Sequence, residues 1–377
     1  MNQFHKRRKF IQDQIQDGVA IIFNAEEATR NSDCNFKFRS DSYFHYYTNF
    51  PESDSVVFLL GGESPKSVLF CKTKNIAQET WNGFIYGPDA AKENFGFDEA
   101  YSIDQIDEIA PKIIANYRKI YTFLDAHKKT NNIIQTWINY NKKQKRSGVR
   151  TPEMVVDLAH LADDMRVVKT TEEIETMKKS AQIASHAHIL AMQKTKPNLY
   201  EYQIEGEILN MFMQLGAKEP AYHSIVASGD NACTLHYTNN NAQMKDGDLL
   251  LIDAGCELDL YASDITRTYP INGKFSHSQK IIYELVLDAQ KNAIDEVQPG
   301  NKFDQPHKAA LKTLAQGLID LNLCKGSLDQ VLDQKLYHKF FMHRTSHWLG
   351  LDVHDVGDYT DDLGKPVSLK RGNVLTI

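Results

Sequence analysis

The stretch LLLIDAGCELDLYASDITRTYPINGKF, residues 249–275, decides the fold class of the C-terminal half and points to its chemistry. Asp253 closes a strongly apolar run, and Asp264 sits inside the next strand-like run, residues 262–269. A two-residue turn at Leu258 and Asp259 makes the two runs a hairpin and sets Asp253 directly opposite Asp264. Opposed side chains share a face, with Cβ atoms about 5 Å apart. Carboxylates that close repel, and one takes up a proton unless a cation lies between them. Three readings follow. A divalent metal, or a pair, would use such hard oxygen ligands. A proton-sharing dyad would need apolar cover. A different register would leave two unrelated surface acids, but the apolar run into Asp253 weighs against an idle charge there.

A second cluster stands in FFMHRTSHWLGLDVHDVG, residues 340–357, with His343, His347 and His354 among Trp348 and two of the chain's glycines. His343 and His347 are four apart, a spacing that shares a face in a helix and in a strand alike. Arg344 occupies the position where an HExxH helix would carry its glutamate, so the zincin reading fails. His236, in TLHY, is a further candidate imidazole. Taken singly, such histidines are more often hydrogen-bonded structural residues. Three within twelve residues favour a site, and imidazole beside carboxylates suits Mn²⁺, Fe²⁺, Co²⁺ or Zn²⁺ over Ca²⁺ or Mg²⁺.

The 377 residues leave room for one large core or two domains. Hydrophobic residues are 42% and charged residues 24%, a globular composition and not a disordered or fibrous one. A net charge of −6 gives no general basis for a nucleic-acid partner. Cys34, Cys71, Cys233, Cys256 and Cys324 are odd in number and never form a CxxC pair. They suggest neither a disulfide framework nor a thiolate zinc knot, and we expect reduced thiols in a cytoplasmic protein. The basic start MNQFHKRRKF runs into polar IQDQIQDG without the apolar segment of a signal peptide. No run of 18 apolar residues marks a membrane span.

The first 160 or so residues alternate between strand-like and helix-like segments, which predicts an α/β domain. VAIIF after Gly18 reads as a buried strand, and residues 55–60 and 67–71 as a hairpin across GGESPK. Ile103, Ile106, Ile109 and Ile113 predict a helix over residues 101–120, followed by a strand at 120–124. The basic run 142–148 reads as an exposed loop near a boundary. Thr170 and Glu173 form a capping box, and Ile174, Met177, Ala181, Ala184 and His188 carry the helix onward. Further helices are expected over 202–215, over 278–295, and after Pro299-Gly300 with Asp304 as cap. Strand-like runs at 224–227, 249–253 and 262–269 lie between them. Helices around antiparallel strands predict an α+β second domain, with domains of 1–165 and 166–377.

The whole chain resembles the aminopeptidase P family, the Xaa-Pro aminopeptidases of bacteria, within the wider group of prolidase, methionine aminopeptidase and creatinase. The likeness runs through Arg30-Asn31-Ser32-Asp33, Phe38-Arg39-Ser40-Asp41-Ser42, Trp81-Asn82-Gly83 and Met165-Arg166. It is densest in IVASGDNACTLHY, in residues 251–275, and in SHWLGLDVHDVG. The resemblance implies a C-terminal domain of the pita-bread fold holding two divalent ions, usually manganese. Asp253 then looks like a ligand of one metal, Asp264 like a bridging ligand and His347 like the single histidine ligand. His236, His343 and His354 resemble the family's substrate-handling histidines. Trp81, Arg146 and Asp33 look like N-terminal-domain residues that reach the active site of a neighbouring subunit in a homotetramer or dimer. The implied activity is metal-dependent release of the N-terminal residue ahead of proline. Alternatives are a prolidase-type dipeptidase and a metal-poor relative that only binds peptides. The family uses two more ligands, both glutamates, beyond the histidine cluster, whereas this sequence ends at Ile377, inside an apolar run. The expectation is therefore a truncated product or incomplete record, with weakened metal binding.

Overall fold

A computed structural model describes residues 2–124 and 128–377. The chain divides into a unit ending at Asp163 and a second, Asp164–Ile377. The first unit opens with helix Gln3–Gln14, where Asn2 accepts the His5 amide. Its six-stranded mixed sheet runs Glu99–Ser102, Lys66–Cys71, Val56–Leu60, Gly18–Phe23, Lys119–Thr122, Met154–Asp157. Gly18–Phe23 is buried almost throughout, as an apolar run covered on both faces must be. Val56–Leu60 and Lys66–Cys71 form the expected antiparallel hairpin.

Two sequence expectations are corrected in this unit. The helix expected over 101–120 is only Ile106–Ile114, because Glu99–Ser102 pairs in parallel with Lys66–Cys71 and completes the sheet edge. Ile103, Ile106, Ile109 and Ile113 still pack on one core around Trp137, so their spacing was informative even where their conformation differed. The basic run 142–148 is not at the boundary. Helix Lys128–Lys143 enters it, Gly148 ends it with φ 83°, and strand Met154–Asp157 returns to the same sheet.

The second unit begins with helix Thr171–Lys194. Its capping box is complete, with the Thr170 hydroxyl accepting the Glu173 amide and Glu173 accepting the Thr170 amide. Ile183, Ala184, Ala187 and Ala191 form one core with Ile204, Ile208 and Phe212 of helix Glu201–Gln214 and with Val226, Leu250 and Ile252 below. Each large side chain buried there contributes about 1.5–3 kcal/mol. Helices His277–Asp295 and Gln305–Asp320 pair through Ala289, Ala293 and Ala310. Asp304 stands at the N-terminus of Gln305–Asp320 but does not cap it. Its backbone is helical, which turns the carboxylate from the first-turn amides, and Lys308 takes it at 2.6 Å.

Strand Leu249–Asp253 lies between Ile225–Ser228 and Thr266–Pro270, antiparallel to both. It alternates, with Leu250 and Ile252 buried toward the helices and Asp253 on the other face. Cys256–Leu258 turns back into Tyr261–Ala262 through Asp259 and Leu260, with φ 49° and 67°. The turn is thus one residue later than the expected Leu258-Asp259, and Asp253 faces Thr266 instead of Asp264. Asp264 lies in the break between Tyr261–Ala262 and Thr266–Pro270, not within a strand. A turn with positive φ at both central residues usually announces itself by Asn or Gly, and leucine there costs about 1–2 kcal/mol. Asp264 nevertheless ends beside Asp253, since one tyrosine hydroxyl, that of Tyr222, bonds to both.

Gly255 fixes this arrangement. A Cβ there would lie 1.7 Å from the Ser263 carbonyl oxygen, so the hairpin closes only on a residue without a side chain. Gly255→Ala should cost at least about 2 kcal/mol, because backbone and not a flexible side chain is in the way. A urea midpoint equal to that of the unsubstituted chain would show that the hairpin tolerates the separation.

Candidate metal and catalytic site

Tyr222, just before strand Ile225–Ser228, holds the two acids together. Its hydroxyl lies 2.5 Å from Asp253 Oδ1 and 2.9 Å from Asp264 Oδ1. Burial, then the two carboxylates, push the phenol far above its ordinary pKa, so it stays a donor. Burial first, with the Asp264 charge adding, raises the Asp253 carboxyl above the usual aspartate range against the Tyr222 and Thr266 hydroxyl bonds.

His347 joins from the opposite side. Its Nε2 is 3.2 Å from Asp264 Oδ2, and its Nδ1 is 2.8 Å from the Trp348 carbonyl oxygen. A carbonyl oxygen only accepts, so Nδ1 carries a proton and Nε2 faces the acids. Burial alone would lower the imidazole pKa, but the bonds to Asp264 and Trp348 outweigh it and hold the group above its ordinary value. His354 meets His347 edge-on, with ring centroids 4.4 Å apart and planes at 86°. Burial and then His347 lower the His354 pKa, and His236 and His343 add to that effect across space. His236 also acts on Asp253. The structure therefore brings Asp253, Asp264, His347 and His354 into one cluster, with exposed His236 and His343 within electrostatic reach. His343 Nδ1 lies 2.7 Å from the carbonyl oxygen of Arg344.

The remaining sequence candidates belong to the first unit. Asp33 is exposed between strands Thr29–Asn31 and Cys34–Asn35. Trp81 is 87% exposed on helix Ile76–Asn82, which buries none of its residues. Arg146 is exposed on the short turn Lys145–Ser147. Sequence reasoning missed Tyr222, Thr266 and the supports of the histidine segment. Buried Arg166 donates to Asp355 at 2.6 Å and to Asp352 at 2.8 Å, and buried Lys169 donates to Asp355 at 2.9 Å. The Met165-Arg166 pair was noted only as part of a resemblance. Partners nearly two hundred residues away leave no periodic signal.

The donors suit a hard divalent cation: two carboxylates on one face with an imidazole nitrogen directed at them. They form an open arc. Among the described residues no three His, Cys, Asp or Glu side chains close around a single point, and the Tyr222 proton and His347 satisfy the acids instead.

Comparison with known proteins shows the family of the chain. The family described as metallopeptidase family M24 matches residues 175–377, and the aminopeptidase P N-terminal domain matches residues 4–121. The Xaa-Pro aminopeptidase of Haemophilus influenzae is 43% identical over 377 residues, covering 100% of this chain and 85% of that protein. The Xaa-Pro aminopeptidase of Escherichia coli is 37% identical, with the same coverage. Among solved structures, Pseudomonas aeruginosa aminopeptidase PepP superposes with a TM-score of 0.97 at 42% identity, covering 99% of this chain and 84% of that one. Zinc-substituted Escherichia coli aminopeptidase P in complex with product gives 0.96 at 37%, covering 99% and 85%.

The raised carboxyl has a testable consequence without metal. A raised folded-state pKa means that the stability from Asp253 is complete below about pH 4, the ordinary aspartate value, and is lost as pH rises through the raised one. Asp264→Asn removes the like charge and should shrink that loss. In chelator-treated protein the melting temperature should fall less above about pH 4 in the variant. An equal fall in both would show that Asp264 does not act on Asp253.

Proposed function

The chain belongs to metallopeptidase family M24, among the Xaa-Pro aminopeptidases, and on that footing we propose which of its residues carry the reaction. It is a metal-dependent aminopeptidase that releases the N-terminal residue ahead of a proline, with an α/β N-terminal domain and a pita-bread catalytic domain. The roles proposed below rest on one observation above all, the Tyr222 hydroxyl bonded to both Asp253 and Asp264 with His347 on the latter.

Asp253, Asp264 and His347 are assigned as the residues that would hold the metal, with Asp264 as the bridging ligand that the family resemblance implies. Carboxylate oxygens with one imidazole suit Mn²⁺, Zn²⁺, Co²⁺ or Fe²⁺, and the family resemblance implies a pair of Mn²⁺ ions. When bound, such ions supply Lewis-acid polarisation of the scissile carbonyl and easier deprotonation of water. The protein does the rest. The Nδ1 proton of His347, fixed on the Trp348 carbonyl, orients the ring and leaves Nε2 free to ligate. Tyr222, held protonated, keeps the two carboxylates from turning apart. His354, its pKa lowered by desolvation and by His347, donates to the substrate oxygen as charge develops, and His236 and His343 steer the peptide.

Trp81, Arg146 and Asp33 are assigned to a neighbouring subunit's active site in a homotetramer or dimer, since Trp81 stands exposed in one short segment together with Ile76 and Phe84. Five free cysteines fit a cytoplasmic enzyme. No helix among the described residues is long and apolar enough to cross a membrane.

The test is hydrolysis of paired Xaa-Pro and Xaa-Ala peptides with and without chelator, where only the first should be cleaved and only in the presence of metal. Asp264→Asn should abolish cleavage and release metal. His354→Ala should retain its metal and lose about 10²–10³-fold in turnover, as removal of a charge-stabilising donor does. Equal metal loss in the two variants, by elemental analysis, would refute the division of roles.

A further inference from the structure

Glu201, the first residue of helix Glu201–Gln214, is fully buried, and the reaction as assigned above does not use it. Its Oε1 accepts the Ser228 amide at 2.7 Å, the Ser228 hydroxyl at 2.7 Å and the Asn231 side-chain amide at 3.1 Å. Its Oε2 accepts the Tyr237 hydroxyl at 2.7 Å and the Ala242 amide at 2.9 Å. Every donor belongs to residues 228–242, the loop that carries His236. Beginning a helix would need none of these side-chain bonds, and a buried carboxylate is costly unless it is fully bonded.

The placement of the bonds is what matters. Ser228 and Ala242 are the two ends of the loop, and Asn231 and Tyr237 lie on either side of His236. Beyond the short turn Gly229–Cys233 the loop has no regular structure of its own. Asn240 adds one fastening, accepting the Val226 amide at 2.9 Å and donating to the Ser224 carbonyl at 2.8 Å. His236 itself is exposed, so no packing holds it where it acts on Asp253 and His354.

We propose that Glu201 is a positioning residue for His236, clamping loop 228–242 from beneath so that the imidazole is presented to the peptide at the Asp253–Asp264 face. This rests on the reading that His236 handles substrate. Glu201→Gln keeps the shape but turns one acceptor into a donor that faces donors.

The test combines Glu201→Gln, His236→Ala and their double variant with hydrogen exchange on the full chain. Glu201→Gln should lower kcat/KM for an Xaa-Pro peptide by about ten- to a hundredfold, the scale of a misplaced group, with metal content unchanged. In the His236→Ala background the same change should cost less than about twofold, because the group it positions is gone. Amide exchange should rise across 229–241 and stay unchanged in Leu249–Asp253 and Thr266–Pro270. Equal losses in both backgrounds, or unchanged exchange in the loop, would overturn the proposal. Should His236→Ala leave kcat/KM intact, the substrate role of His236 fails separately, and exchange alone decides whether Glu201 is the clamp. If Glu201→Gln does not fold, Tyr237→Phe removes a single bond of the set and must show the same dependence on His236.

Discussion

Two buried cations and one buried carboxylate hold the catalytic unit together. Arg166 and Lys169, at the start of that unit, both close on Asp355, and Arg166 also reaches the half-exposed Asp352. In these three ion pairs each buried cation meets a carboxylate, the condition under which such groups are tolerated away from water. Gly350 makes the room: a Cβ there would lie 2.1 Å from the Asp355 carboxylate. The Gly350 carbonyl then accepts the Ala262 amide at 2.8 Å, so the histidine segment is tied to the strand that leads into Asp264. Between those ties stands Trp348, fully buried against Phe303 and Tyr359, with His347 as its neighbour. The imidazole is thus aimed by groups packed behind it in the fold.

The same logic runs through the rest of the site. Asp253 is placed by a strand whose other face is core, Asp264 by a break that only Gly255 permits, and both by the Tyr222 hydroxyl. Behind the break, buried His188 bonds the Ala254 carbonyl at 3.0 Å, and Ser180 bonds the Cys256 carbonyl at 3.0 Å, each from helix Thr171–Lys194. The Cys256 carbonyl also accepts the Ser263 amide at 2.9 Å, so Ser180 reinforces a pairing that the hairpin already makes. An unpaired buried carbonyl would cost about 1–3 kcal/mol, so the His188 contact to Ala254 defends the break as well as shaping it.

What the sequence disclosed divides along the same line. Local chemistry was legible: the capping box at Thr170, the strand at 18–23 and the helix beginning near 277 follow from neighbours a few residues apart. Contacts between distant residues were not. Leu260 in a left-handed turn carries no mark of its own, so the hairpin register was read two residues short. That error left the pairing of the two acids intact, because the Tyr222 hydroxyl joins them across the break. Tyr222 could not be found at all, since a tyrosine between a proline-bearing strand and a histidine has no pattern until the hairpin closes over it.

A site built this way separates two demands that conflict within one side chain. A carboxylate directed at a cation must keep its oxygens uncommitted, and such a group is unstable in a folded protein until the cation arrives. Here the acids that face the site carry few protein bonds, and one of them has its carboxyl raised by burial and by its neighbour. Acids set deeper, Glu201 and Asp355, are saturated with donors and answer to the fold alone. Rigidity comes from the second kind, reactivity from the first. The saturated acids fix the segments that carry His236 and His347, so Asp253 and Asp264 need only Tyr222, Thr266 and His347 as protein partners.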